Sequence, residues 1–191
     1  MHTEKSVAQD TVSAGIAVRP RNAEGVGAGG VYTVVCRDAN GNLKWSDSFH
    51  NLVVNQGLQD MNSKYFSGSG YTAAWYLGLV TGPGSGNTYA AGDTLASHAG
   101  WTENTNYAGN RKAATFGTAT TADPSVINNS GSPAVFTMNA NAQTIAGAFL
   151  CSVSSGTSGV LFSVGNFVGG NKIVDSGDTL TVTYEFSLDA V

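Results

Sequence analysis

Asp93, His98 and Glu103 follow one another at intervals of five residues. A carboxylate, an imidazole and a second carboxylate are side chains that bind divalent metals or trade protons near neutral pH, and on a loop the three could converge. The other reading is a loop pinned by side-chain hydrogen bonds to its own backbone. The three histidines are scattered and no Cys/His cluster accompanies them, so neither a metal nor a cofactor is expected. Glycoside cleavage needs two carboxylates across a cleft, but Glu4 and Glu24 lie near the N-terminus and Glu185 falls on the exposed parity of the last strand. No serine sits in a G-x-S-x-G setting. The run Gly25-Val26-Gly27-Ala28-Gly29-Gly30 precedes a strand, whereas a phosphate loop opens a helix. No catalytic residue is therefore expected, and an enzyme is not the reading these residues favour.

Recognition by contact is the alternative. Trp75, Tyr76, Tyr89, Trp101 and Tyr107 offer flat faces on which a sugar could stack, although aromatics at strand spacing are more often core. Arg111 and Lys112 could cap carboxylates or carbonyls, or form an ordinary solvated pair. Residues 81–115 read as one long loop, and a loop of that length inside a compact domain is usually functional or lies on a partner. Tyr89, His98, Trp101, Tyr107 and Arg111 are its candidate contact surface. A second candidate is the N-terminal segment, where Ile16-Ala17-Val18 is followed by Arg19-Pro20-Arg21. Ile16, Val18, Arg19 and Arg21 would be its contacts if it lies on a neighbouring subunit; otherwise it is a frayed terminus.

The elements that position these side chains are mostly strands. Residues 178–189 alternate throughout, with Leu180, Val182, Tyr184, Phe186 and Leu188 on one side and Thr179, Thr181, Thr183, Glu185 and Ser187 on the other. Period two means a half-buried strand, and a slip of one residue would turn all five apolar side chains outward. Residues 31–36 and 43–49 flank Asn40-Gly41 and predict a hairpin on a type I′ turn. Val54, Leu58, Met61 and Tyr65 are spaced four, three and four apart, which predicts a short helix with one buried face, Asn55 as its N-cap and Gly68 beyond its end. Residues 71–80 carry apolar side chains on both parities, as a central strand covered on both faces does. Further strands are predicted at 113–118, 134–138, 144–153 and 160–167, with Gly169-Gly170 and Gly177-Asp178 bracketing one more crossing.

Seven or eight short strands at this spacing predict a mainly β fold: a single antiparallel β-sandwich, jelly-roll-like or immunoglobulin-like, over residues 31–191. One short helix and an extended or disordered N-terminal arm over residues 1–30 complete it. Charged residues make up only 12% of the chain and the net charge is -4, without a basic run, so no nucleic-acid partner is expected. No apolar stretch reaches membrane-spanning length, and residues 1–10 have no apolar run behind their charges; neither a membrane partner nor a signal peptide is expected. Cys36 and Cys151 each lie in an apolar run, which suits two buried reduced thiols, with a disulfide formed outside a reducing cytosol as the alternative.

At residues 71–80 (YTAAWYLGLV), 93–103 (DTLASHAGWTE), 144–150 (TIAGAFL) and 177–184 (GDTLTVTY) the sequence resembles a family of small tailed-bacteriophage virion structural proteins. The resemblance runs from about Val31 to the C-terminus, and the Trp75 and Trp101 segments are its most specific parts. It implies a component of the phage particle, located in the virion after assembly in the host cytoplasm, and brings no catalytic or ligand residues. The expected role is a capsid decoration or cement protein that binds the major capsid lattice and other copies of itself. The alternatives are a tail, collar or fibre-anchoring protein, and a receptor- or glycan-binding module.

Overall fold

The computed structural model describes residues 25–70, 74–82 and 86–190. Its longest pairing joins the two ends of the described chain: β1 (Val26–Arg37) runs antiparallel to β12 (Thr179–Ala190) from Val26↔Ala190 to Arg37↔Thr179. The unbroken alternation of 178–189 explains this, because it turns Leu180, Val182 and Tyr184 inward with no exposed surface. The stripe then fades: Phe186 is half-buried and Leu188 exposed. β2 (Leu43–His50) flanks β1. On the far edge of β12 sit β7 (Ser125–Asn128) and β8 (Ala134–Thr137), one beyond the other, which completes the first sheet.

The second sheet has the order β3 (Leu52–Val53), β10 (Leu161–Asn166), β9 (Gln143–Cys151), β4 (Tyr76–Thr81), β5 (Glu103–Asn104). β11 (Lys172–Val174) continues the edge that β10 occupies on β9, and β6 (Lys112–Ala113) does the same beside β5 on β4. All pairings are antiparallel, and the two sheets pack as a sandwich. Between them Tyr32, Phe49, Leu77, Leu79, Phe136 and Tyr184 form the main core. A second core lies on the outer face of the second sheet, where Val80, Phe149 and Val164 are covered by Leu95 and Trp101. That explains why β4 is apolar on both parities: one face meets the other sheet, and the opposite face meets the chain that leaves β4.

Three local expectations are corrected. The strand expected to begin at Val31 begins at Val26, so residues 26–30 belong to β1 and not to an arm; Gly30 is held there by reciprocal bonds with Asn51. The β1–β2 hairpin is present, but only Gly41 takes a positive φ, +85°, whereas a type I′ turn needs two such residues. The Asp38 carboxylate accepts the Asn40 and Asn42 amides at 2.9 and 2.8 Å and so sets a wider turn. The helix α1 (Asn55–Tyr65) exists, but Val54 is its N-cap and Asn55 its first residue. Leu58 and Tyr65 point to solvent, while Gly57 is buried against β10, where a Cβ would stand 2.5 Å from the Phe162 carbonyl oxygen. Close approach at Gly57 turns the inward face to 54, 57 and 61.

The described residues hold twelve strands, several of them only two or three residues long. The strand predicted at 113–118 shrinks to β6; beyond it Gly117 donates to the Asn128 carbonyl beside β7, which periodicity did not reveal.

Candidate functional site

Residues 86–102 fold back over the outer face of the second sheet and 103–111 follow its edge, with Tyr107 reaching the core between the sheets, and polar side chains hold the segment there. Trp101 is 5% exposed, packs against Phe149 at 5.3 Å, and donates its indole N–H to Asp93 Oδ2 at 3.0 Å. The same oxygen accepts the Ala90 amide at 3.1 Å. His98 stacks on the indole with ring centroids 3.9 Å apart, and its Nδ1 lies 3.0 Å from the Trp101 carbonyl. Because a carbonyl oxygen only accepts, Nδ1 carries the hydrogen.

Glu103 belongs to a different cluster. Arg111 donates to it through Nε at 2.8 Å and Nη2 at 2.7 Å, and its Nη1 donates to the carbonyls of Val153 and Gly156 at 3.1 and 3.0 Å. The guanidinium lies 5.2 Å from the centre of the Phe149 ring. Burial works against its charge more than any other single influence, but the Glu103 hydrogen bonds and the electrostatic attraction of Cys151, Glu103 and Tyr107 together raise its pKa above the ordinary value. Tyr107 donates to Glu103 Oε1 at 3.4 Å and packs edge-on against Phe136 at 4.8 Å. Burial, with the Glu103 charge adding to it, pushes its hydroxyl well above the usual range.

The interval of five therefore does not bring Asp93, His98 and Glu103 together: the first two serve Trp101 and the third serves Arg111. Among the described residues, no group of three His, Cys, Asp or Glu is placed to hold a metal ion. The loop contact surface is also corrected. Trp101, Tyr107 and Arg111 are 5%, 3% and 8% exposed, so they are anchors of the loop and not a face offered to a partner. His98 and Tyr89 are half-buried; Tyr89 donates to Asn166 Oδ1, and burial pushes its hydroxyl up to about 12. Ile16, Val18, Arg19 and Arg21 lie outside the described residues.

Two further polar clusters join residues that no motif or spacing in the sequence links. Between the sheets, the Tyr32 hydroxyl meets Ser163 Oγ at 2.7 Å, Ser163 donates to the Tyr184 hydroxyl at 3.4 Å, and Asn51 donates to that hydroxyl at 2.8 Å. Tyr32 and Tyr184 sat on the core parity with hydroxyls that needed partners, which was the available signal. At the opposite end of β12, Lys44 donates to Asp178 at 2.6 Å and to Asp175 at 3.4 Å. Both cysteines are free and buried, Cys36 in the inter-sheet core and Cys151 in the outer one. Burial pushes the Cys36 thiol up to about 11 and raises that of Cys151, which keeps both protonated at neutral pH.

What the surface offers instead is apolar side chains and a strand edge that no strand among the described residues pairs. Tyr65 and Phe66, at the end of α1, are 83% and 79% exposed and contact each other edge-to-face at 4.9 Å. Residues 26–29 of β1 pair with β12 on one side and extend past the end of β2 on the other. No protein-family model, curated protein or solved structure matches the chain.

Proposed function

We propose that the protein is a structural component of a tailed-bacteriophage particle, a decoration or cement protein that binds the major capsid lattice and stabilises the head. One observation carries the reading. The chemically capable side chains of the 86–111 segment bond to one another and to the turn after β9, while the β1 edge that no described strand pairs and the exposed Tyr65–Phe66 pair offer contacts of the kind that subunits make. The segments at 71–80, 93–103, 144–150 and 177–184 that resemble virion proteins support it independently. Many small, weakly polar contacts repeated over a symmetric lattice are collectively stable although each is weak. Bridging adjacent capsomers would strengthen the shell against the pressure of packaged DNA.

The edge at residues 26–29, unpaired among the described residues, also suits a second reading, a tail or collar component that closes a ring edge to edge. Cryo-electron microscopy of the purified particle distinguishes the two. Density for this chain over the shell is expected, and density confined to the tail would replace the first reading with the second. A particle without the chain overturns both.

A further inference from the structure

At the end of the sandwich where β1 begins, the paired β1 and β12 overhang the end of β2. Even-numbered residues of β1 and β12 face inward, so Val26, Phe186 and Leu188 lie on the inner side of the overhang, and Ile127 stands opposite Phe186 on β7. Phe186 and Ile127 help to wall an apolar cleft of about 210 Å³, together with Met61, Trp75, Phe116 and Phe162. An apolar cavity of about 150 Å³ already holds a benzene ring, so this cleft has room for branched aliphatic side chains. Tyr65 follows Met61 by one helical turn and is exposed, as is Val26 at the start of β1.

We propose that this cleft is the docking site of residues 16–18 of the same chain. Four observations select that occupant. The preceding chain enters at Gly25, on the lip of the overhang, and its apolar tripeptide Ile16-Ala17-Val18 is followed by Arg19-Pro20-Arg21. Seven residues lie between Val18 and Val26, and the eight Cα–Cα steps that join them give a flexible length of roughly 16 Å. From Val26 to the level of Gly30 and Phe186 is about 13 Å along the strand. A tether whose natural length matches the span it must cross gives the highest effective concentration. Charge agrees as well. Arg19 and Arg21 follow the tripeptide, and Asp123 and Asp189 stand at this end of the sandwich, where Asp123 accepts the Ala190 amide. Among the described residues, no lysine or arginine forms an ion pair with either.

The proposal holds whether or not the protein is a virion component. Hydrogen–deuterium exchange on the full chain tests it. Amides of residues 14–20 are expected to exchange more slowly, by roughly tenfold or more, than in the Ile16→Asp/Val18→Asp variant. The protection is expected to be unchanged on hundredfold dilution. A nitroxide attached at Tyr65→Cys is expected to broaden the resonances of residues 14–18 in the otherwise unaltered chain and not in the double variant. Equal exchange in both proteins overturns the proposal. Protection that vanishes on dilution also overturns it, by putting a second copy's segment in the cleft.

Discussion

Arg111 and Glu103 meet fork to fork, Nε to Oε1 at 2.8 Å and Nη2 to Oε2 at 2.7 Å, with the remaining guanidinium nitrogen on two carbonyls of the segment after β9. Two planar groups joined this way fix distance and orientation together, which a lysine could not do. The pair ties the 103–111 stretch to the 153–156 turn, so it closes the outer layer of the sandwich.

Arg111→Met is accordingly expected to destabilise the protein by about 3–5 kcal/mol, because Glu103 and two carbonyls lose their partner together. Urea unfolding followed by tryptophan fluorescence measures this. Arg111→Lys is expected to recover only a minor part of the loss. Full recovery would show that charge alone, without the fork, is sufficient.

Trp101→Ala is expected to cost about 3–5 kcal/mol through the cavity left against Phe149 and Leu95. Trp101→Phe keeps most of the volume and loses the hydrogen bond to Asp93, so a smaller cost of about 1–2 kcal/mol is expected. Thermal denaturation of the two variants checks the order. An alanine variant as stable as the parent would contradict the burial of this indole.

Gly57→Ala sets two effects against each other. Alanine favours the helix by about 1 kcal/mol, but its Cβ would meet the Phe162 carbonyl oxygen at 2.5 Å, and a backbone oxygen cannot swing aside. Overpacking of this kind costs about 1–3 kcal/mol. A net loss of stability is expected, together with faster amide exchange in α1, readable by exchange mass spectrometry.

Stability is expected to fall as pH rises from about 9 to about 11. The Cys36 thiol has an ordinary value of 9.0 and is pushed up to about 11 by burial, so in that window the unfolded chain releases a proton that the folded one keeps. A group whose folded pKa is raised contributes its full stabilisation below its unfolded value and loses it as pH climbs through the folded one. Urea midpoints at pH 8, 9, 10 and 11 measure the slope. Cys36→Ala is expected to make it shallower while lowering the midpoint at pH 8.

Much of this architecture was legible in the order of residues alone. The alternation of 178–189 specified β12 and its buried side, and the apolar runs around Asn40-Gly41 specified the β1–β2 hairpin, because period and turn chemistry are local properties. The mainly β sandwich followed from them. What the sequence left open was decided by contacts between residues far apart in the chain. Gly57 reads as a weak point in a helix until the Phe162 carbonyl 105 positions later is seen against it. Asp93, His98 and Glu103 look like one site until Trp101 and Arg111 divide them. Trp101 looks like a loop aromatic until Phe149 lies beneath it. Polar side chains take their roles from whichever partners the fold brings within about 3 Å, a distance that spacing along the chain does not set.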